Sequence, residues 1–313
     1  MPELVVTAAA RAADDIHTFE LRDPAGGDLA PFTAGSHVQV RSPGGHVRKY
    51  SLCNDPAERH RYVIAVKRDG AGSGGSVDLV DNAHVGSRLE VGAPHNSFAL
   101  APKARSFLLV AGGIGITPIL AMARALNRDG RPYRLVYLTR SPAHAAFLDE
   151  LAGDAFRGKV VIHHDAGDPG RAFDLWPLFE KPREAHIYCC GPRGLLEAVR
   201  DMTGHWPAGA VHFESFVDAL AAARPGDRAF TVVLARSGAR IEVPPRVSIL
   251  EAMRARGFEA PSSCESGTCG TCRTRLLSGE ADHRDLVLMD HEKAANIMLC
   301  VSRARGAEIT VDR

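Results

Sequence analysis

Four cysteines near the C-terminus limit how this end of the chain can fold. Cys264, Cys269 and Cys272 are followed by Cys300, which gives the pattern C-x4-C-x2-C…C. Plant-type ferredoxins use this spacing to hold a [2Fe–2S] cluster with four thiolates. A zinc site is the alternative, because Cys269 and Cys272 alone would suit one, but zinc sites usually pair two C-x2-C units and only one is present. The spacing therefore predicts a [2Fe–2S] centre, which moves one electron at a time.

The loop that carries three of these cysteines consists mostly of small residues. Gly267 and Gly270 permit the tight or left-handed backbone that wrapping a cluster requires. The serine and threonine residues between them let backbone N–H groups point at sulfur, which stabilises an anionic cluster. Cys300 comes from a separate apolar segment, Ile297–Val301, which we predict to be a strand.

The residues around this loop predict a small mixed domain. Phe230–Arg236 and Arg240–Val243 flank a hairpin signal, and Ser248 with Glu251 forms a capping box that opens a helix ending at Gly257. Strands are expected near 273–277, 297–301 and 308–311. Two strands, a helix, the cysteine loop and further strands resemble the β-grasp (α+β) ferredoxin fold.

Composition narrows the classes of protein that the chain can be. Its 313 residues predict two or three domains, and a formal net charge of +1 gives no reason to expect binding to nucleic acid or to an anionic membrane. No apolar run is long enough to span a bilayer, and the N-terminus lacks a signal-peptide pattern. Cys53, Cys189 and Cys190 fit no disulfide framework. We expect a cytoplasmic monomer.

The middle of the chain alternates predicted strands and helices. Such alternation indicates a doubly wound α/β domain with a parallel sheet. The predicted strands are Phe107–Ala111, Tyr133–Leu138, Val160–His163, Ala185–Cys190 and Ala210–Phe216, and the predicted helices are Pro118–Arg128, Ala143–Ala152, Leu175–Phe179 and Gly194–Met202.

The first hundred residues have a different pattern. Short apolar runs are separated by turns rich in proline and glycine, which is typical of a small antiparallel β-barrel. The runs are Leu4–Thr7, Ile16–Leu21, His37–Arg41, Tyr62–Lys67 and Arg88–Val91.

Two glycine turns follow strands of the predicted α/β sheet. The first contains Gly112, Gly113 and Gly115 and leads into a helix, for which Thr117 is a candidate N-cap and Pro118 the first residue. Such a turn lets the backbone approach a ligand and offers helix N–H groups to phosphate, although the third glycine of the dinucleotide fingerprint is absent. A turn required only for packing is the alternative.

The second turn is Cys190-Gly191-Pro192. Because ligands of open α/β sheets bind beyond the carboxyl ends of the strands, the two turns are expected to define one crevice.

One further motif makes the combination specific. Arg48-Lys49-Tyr50-Ser51 means little alone, and its alternative is an exposed barrel strand. Together with the two glycine turns and the cysteine spacing, however, it makes the chain resemble the ferredoxin–NADP reductase superfamily, and specifically its phthalate dioxygenase reductase and vanillate demethylase reductase group. The resemblance covers essentially the whole chain and implies an FMN-binding barrel (1–103), an NAD(P)H-binding α/β domain (104–217), a linker (218–228) and a [2Fe–2S] domain (229–313).

The resemblance also implies roles for individual residues. It places Tyr50 along the flavin ring system, Ser51 at its polar edge, and Arg48 near a single phosphate, which suits FMN rather than FAD. It gives further flavin contacts to Ala65, Val66, Lys67 and Thr117, phosphate contacts to Gly74, Gly75 and Ser76, nucleotide contacts to Gly112, Gly113, Gly115, Gly191 and Pro192, and positioning of the reacting rings to Cys190 and Phe216. For Phe216 the alternative is an aromatic of the domain core.

The residues that would contact the nucleotide ribose depart from the acidic pattern and lean slightly toward NADPH. The strand Tyr133–Leu138 leads into Thr139-Arg140-Ser141, where an acidic residue would favour NADH and an arginine tolerates NADPH. The group generally resembles NADH users, so we predict NADH, with NADPH as the alternative. His163-His164-Asp165 could suggest a metal site, but a solvated pair of histidines is the simpler interpretation.

The resemblance implies an iron–sulfur flavoprotein oxidoreductase that passes electrons from NAD(P)H through FMN and [2Fe–2S] to a Rieske-type oxygenase acting on aromatic compounds. A redox sensor that binds nucleotide without turnover is one rival. Reductases of the nitric-oxide-scavenging or methane-oxygenase type are another, but they usually carry the ferredoxin domain first, whereas here it is last.

Overall fold

A computed structural model describes residues 1–72, 74–207, 209–216, 224 and 226–313. These residues form two compact units, Met1–His212 and Phe213–Arg313. The first unit contains both the expected barrel and the expected α/β layer, and the second contains the expected ferredoxin-like domain. The predicted linker, 218–228, lies largely outside the described residues. In the described part of the chain, no helix combines the length and apolar character that crossing a bilayer requires.

The first unit begins with a six-stranded antiparallel sheet whose strand order is β4-β3-β6-β1-β2-β5. Its edge strands meet through the antiparallel bridge between Leu52 and Ile64, so the sheet closes into a barrel. Alternate side chains such as Phe19 and Leu21 fill its core, as the period of a half-buried strand requires. The elements are β1 (Glu3–Ala13), β2 (Ile16–Arg22), β3 (His37–Arg41), β4 (Val47–Ser51), β5 (Tyr62–Lys67), α1 (Gly75–Asn82) and β6 (Arg88–Val91).

A five-stranded sheet of order β11-β10-β7-β8-β9 completes the first unit. The pairs β10–β7, β7–β8 and β8–β9 are parallel, and the order reverses between β7 and β10. This doubly wound order places a ligand crevice at the carboxyl ends of those two strands. The elements are β7 (Ser106–Gly112), α2 (Ile116–Arg128), β8 (Tyr133–Thr139), α3 (Leu148–Leu151), β9 (Val160–His164), α4 (Trp176–Phe179), β10 (Ala185–Cys190), α5 (Arg193–Met202) and β11 (Val211–Glu214).

Two details of this layer differ from expectation. The prediction that Thr117 caps α2 was wrong, because the helix begins at Ile116 and the Thr117 hydroxyl donates to the Ile114 carbonyl at 3.0 Å. The helix predicted over Ala143–Ala152 is reduced to the single turn α3, preceded by Phe147 at a φ of 64°.

The second unit is a mixed five-stranded sheet with one main helix, as the β-grasp prediction requires. Its strand order is β13-β12-β18-β14-β16, with β12 and β18 parallel, and β15 pairs with β17. The capping box is present: Ser248 Oγ accepts from the Glu251 N–H at 3.1 Å, and Glu251 Oε2 accepts from the Ser248 N–H at 2.8 Å. The elements are β12 (Phe230–Leu234), β13 (Ala239–Val243), α6 (Ile249–Ala255), β14 (Arg273–Ser278), β15 (Ala281–Asp282), α7 (Asp290–Lys293), β16 (Asn296–Met298), β17 (Arg303–Ala304) and β18 (Glu308–Val311).

The strand expected to carry the fourth cysteine is shorter than predicted. It ends at Met298, so Cys300 lies in the turn that follows it rather than within a strand. The turn still presents Cys300 toward the cysteine loop, because the Leu299 N–H approaches the Cys272 carbonyl at 3.4 Å.

Candidate functional site

The four motif cysteines are free thiols that lie together in two pairs. Cys272 Sγ and Cys300 Sγ are 3.2 Å apart, and the Cys264 N–H donates to Cys269 Sγ at 3.5 Å. No three metal-ligating side chains among the described residues converge on one point, as a single zinc ion would require. Two irons that each need two thiolates would instead require two pairs, so the donor set fits a [2Fe–2S] cluster.

The surroundings of two of these thiols, Cys264 and Cys272, favour the thiolate form. The neighbouring Cys269 thiol, together with N–H groups of Ser266 and Thr268 at 3.4 and 3.5 Å from sulfur, lowers the pKa of Cys264 well below its usual range. In the other pair, the Cys300 thiol lowers the pKa of Cys272. In each pair the lowered pKa of one thiol favours its thiolate, which is the form that binds iron.

The cysteine loop rests on a second segment of the same unit. A Cβ placed on Gly267, whose φ is 76°, would lie 2.7 Å from Val301 Cγ2 and 3.2 Å from the Asp285 Cα. The Leu286 N–H donates to the Gly267 carbonyl at 2.9 Å, and the buried Asp285 carboxylate accepts from the Leu288 N–H at 2.7 Å. Gly267 is thus required by close packing as well as by its backbone angle.

In the barrel, the predicted flavin residues line the seam between β4 and β5. These strands meet only at the Leu52–Ile64 bridge among the described residues, so Tyr50 and Val66 lie on strands that are not paired with each other there. Ser51 Oγ is buried at this seam and has no hydrogen-bond partner among the described groups. A buried polar atom of this kind is normally satisfied, which fits a polar ligand edge at Ser51.

The predicted contacts on β5 differ in how they could touch a ligand. The Ala65 side chain packs against Ile16 and Ala146, and the Val66 side chain lies in the barrel core. Ala65 and Val66 could therefore contact a flavin only through their backbone atoms, whereas the Lys67 side chain is exposed.

The start of α1 forms a cradle for an anion. Gly74 has a φ of 86° at the N-cap, and the Arg48 side chain lies against Gly75, so closely that an added Cβ would be 3.0 Å from Arg48 Nε. Ser76 Oγ accepts from the Asp69 N–H at 3.1 Å and keeps its own proton for donation. Helix N–H groups and a guanidinium that converge in this way suit a phosphate.

Sequence reasoning missed one residue of this cradle. His46 Nε2 would lie 3.9 Å from a Cβ on Gly74, which places a second basic side chain at the same anion site. The sequence could have indicated His46, because it lies two residues before Arg48 and therefore on the same side of an extended chain.

The two glycine turns of the α/β layer pack against each other at the carboxyl ends of β7 and β10. A Cβ on Gly115 would lie 2.1 Å from the Cys190 carbonyl oxygen, and one on Gly112 would lie 2.7 Å from Pro192 Cδ. Gly191 in turn lies against Gly112, where an added Cβ would be 3.0 Å from its Cα. Only Gly113, with a φ of 54°, has open space beside it.

The remaining predicted residues lie in different surroundings. Thr117 and Cys190 are buried, and the Cys190 side chain belongs to the core of the α/β layer. Phe216 follows β11 and is 44% exposed. His163 and His164 bond to different groups, the Arg171 carbonyl at 2.7 Å and the Thr139 hydroxyl at 2.6 Å.

Comparison with known proteins agrees with these features. Residues 232–305 match the family model of the 2Fe-2S iron-sulfur cluster binding domain. Over 311 residues, 99% of this chain and 96% of the relative, the chain is 56% identical to phthalate dioxygenase reductase of Burkholderia cepacia. This chain belongs to the phthalate dioxygenase reductase family.

Two further matches extend over the same length. The reductase subunit of phthalate 4,5-dioxygenase from Pseudomonas putida is 54% identical over 312 residues, 99% of this chain and 96% of the relative. A solved phthalate dioxygenase reductase, described as a modular structure for electron transfer from pyridine nucleotides to [2Fe-2S], superposes with a TM-score of 0.73 at 54% identity and covers 100% of this chain and 98% of that one. The predicted resemblance, fold class and oxidoreductase class are confirmed, and so is the [2Fe–2S] domain.

Proposed function

We propose that this protein is the reductase component of a Rieske-type aromatic-ring oxygenase or O-demethylase system and passes electrons from NADH through FMN and [2Fe–2S] to the oxygenase. The observation that carries the proposal is the two pairs of cysteine thiols. They occur in a chain whose first unit also has a seam between β4 and β5 and a reversal of strand order between β7 and β10. The proposal also includes the domain boundaries: an FMN-binding barrel over 1–103, an NAD(P)H-binding domain over 104–217, a linker over 218–228 and a [2Fe–2S] domain over 229–313.

FMN is proposed because the anion cradle offers donors for one phosphate. Arg48, the α1 N–H groups and the Ser76 hydroxyl would hold it, and Ser51 Oγ would donate to the polar edge of the ring system. When bound, the flavin supplies the conversion between a two-electron donor and one-electron acceptors.

NADH is proposed to enter at the switch point between β7 and β10. Gly113 is the open position of the turn, and α2 begins three residues later, at Ile116. At the far end of the crevice, Arg140 is exposed at the end of β8, where it would tolerate a 2′-phosphate without requiring one. Phe216 and Cys190 are proposed to position the nicotinamide.

The cytoplasm is the proposed compartment, because the cluster thiolates and the three additional free thiols suit a reducing environment. We propose a monomer as the working state, with the oxygenase as its protein partner.

The experiment compares the wild-type protein, loaded with FMN and cluster, with Cys300→Ser and with Cys53→Ser. Cys53 is a matched control, because its buried thiol donates to the Val63 carbonyl at 3.3 Å and a serine hydroxyl can do the same. We expect Cys300→Ser to lose cluster absorbance and reduction of a phthalate-type oxygenase but to keep NADH-dependent bleaching of the flavin, and Cys53→Ser to keep all three.

Oxygenase turnover by Cys300→Ser at the wild-type rate would contradict the proposed route. In the same assay, kcat/KM is measured for NADH and NADPH, and a preference for NADPH would overturn the proposed donor.

A further inference from the structure

Arg124 is a charged side chain on a helix that is otherwise almost entirely buried. Its guanidinium is only 22% exposed and reaches two partners outside α2. Nη1 donates to the Cys53 carbonyl, while Nε and Nη2 donate to the two carboxylate oxygens of Glu150 at 2.8 and 2.6 Å. This side chain therefore joins the α/β layer to the barrel.

Cys53 is the point at which the two strands of the proposed flavin seam are tied together. Its N–H donates to the Val63 carbonyl at 2.9 Å, and its thiol donates to the same oxygen at 3.3 Å. Ser51 lies two residues before Cys53, and Ala65 lies two residues after Val63. The guanidinium thus holds the barrel directly beside the residues proposed to contact flavin.

The second partner of Arg124 leads back to the same seam. Glu150 lies on α3, and the preceding segment contains Ala146, which packs against Ala65 of β5. The Ala146 N–H donates to the buried Tyr137 hydroxyl at 3.1 Å, which fixes this segment to β8. One arm of the guanidinium therefore ends at the seam, and the other ends on the helix that follows Ala146, which shares a buried cluster with β5.

The other end of α2 begins at the nucleotide turn. Ile116 follows Gly115 directly, and Arg124 lies eight residues later, which is about 12 Å along the helix axis. A single buried helix thus carries the turn proposed to admit NADH at its start and contacts the flavin seam from its third turn.

Resting on the proposed function, we propose that Arg124 is a positioning residue that fixes the distance between the nicotinamide crevice and the flavin seam. A planar guanidinium bound to both oxygens of a carboxylate constrains orientation as well as distance, which a lysine ammonium does not. The seam and the crevice then keep their relative positions when either ligand is absent.

The test uses full-length protein loaded with FMN and cluster. In Arg124→Met, the apolar length of the side chain is retained and both polar contacts are lost. We expect the limiting rate of flavin reduction by NADH, measured by stopped flow, to fall about 10- to 100-fold, as displacements near 1 Å do in other enzymes, while the Kd values for FMN and NADH change little. Arg124→Lys, which can reach only one partner, is expected to lie between Arg124→Met and the wild type.

Arg128→Met is the matched control. Arg128 lies one turn further along α2 and pairs with Asp55 of the same barrel segment, but its side chain is 40% exposed, so the pair contributes little. A second readout is amide hydrogen exchange at Cys53 and Val63, which is expected to accelerate in Arg124→Met and not in Arg128→Met.

A wild-type limiting rate in Arg124→Met would overturn the proposal, as would a loss of rate that merely follows a loss of bound FMN. If Arg124→Met does not fold, Arg124→Lys takes its place in the test, and a wild-type limiting rate or a rate loss that follows FMN loss would again overturn the proposal. If NADH fails to reduce the flavin of the wild-type protein, the proposed function itself is wrong, whatever the variants do.

Discussion

At the residue scale, the glycines of the nucleotide turn have two different physical roles. The sequence left open whether they make room for a ligand or only for packing, and Gly112 and Gly115 face the neighbouring turn at distances that no side chain could occupy. Gly113 is open and has a positive φ, so it is the glycine available to a ligand. The packing of one turn against the other therefore accounts for two of the three glycines.

Gly115→Ala tests this distinction. The added methyl would meet the Cys190 carbonyl, so we expect a loss of about 1–3 kcal/mol in the free energy of unfolding of the first unit, together with weaker NADH binding. Gly194 lies in α5 with open space beside it, so Gly194→Ala is expected to be neutral or to stabilise by about 0.5–1 kcal/mol. Urea unfolding and NADH titration of both variants provide the comparison, and wild-type behaviour of Gly115→Ala in both assays would contradict the packing argument.

At the element scale, the capping box of α6 stabilises a helix that contacts the segment carrying the fourth cysteine. The Leu250 N–H donates to the Leu299 carbonyl at 3.1 Å, directly before Cys300. Ser248→Ala is expected to cost about 0.5–2 kcal/mol in the stability of the second unit and to hasten cluster loss, as monitored by visible absorbance during urea titration. Ser237→Ala is the control, because Ser237 Oγ accepts only a 3.3 Å bond within a surface turn. Equal effects of the two substitutions would show that the cap does not support this segment.

Strong local patterns predicted elements well, and weak patterns did not. The predicted strand Ala185–Cys190 coincides with β10, because a short apolar run leaves a buried parallel strand few alternatives. The segment Ala143–Ala152 consists mostly of good helix formers, yet Ala145 and Ala146 are buried and Phe147 turns the chain with a positive φ. Tertiary packing outweighed propensity there.

The residues of the candidate site also differ in how strong a local signal they leave in the sequence. The cysteine pairs follow from linear spacing, which brought Cys264, Cys269 and Cys272 together within one loop. Contacts made across the fold leave no local signal: Arg124 meets Cys53 from 71 positions away in the sequence. Such a contact depends on how the helix docks on the barrel, which spacing and composition do not encode.

At the scale of the whole molecule, the two units carry different titratable groups in their interiors. In the first, His212 stacks on Tyr188 with ring centroids 4.3 Å apart and shares a 3.0 Å hydrogen bond with His186. In the second, Arg284 holds both oxygens of Asp227 at 2.6 and 2.9 Å. These two sites should therefore respond to acid in different pH ranges.

We expect His212 and Asp227 to contribute to stability in successive pH windows. Burial, and then the neighbouring His186, lowers the pKa of His212 from 6.5 to about 4, so the unfolded chain binds this proton first and stability of the first unit falls as pH drops from 6.5 toward 4. Hydrogen bonds from Arg284 lower the pKa of Asp227 from 3.8 to about 2, so this contribution to the second unit is full above 3.8 and disappears toward pH 2. Calorimetry across this range should show His212→Phe removing the first loss and Asp227→Asn removing the second. A pH dependence of stability that neither substitution changes would contradict the assignment.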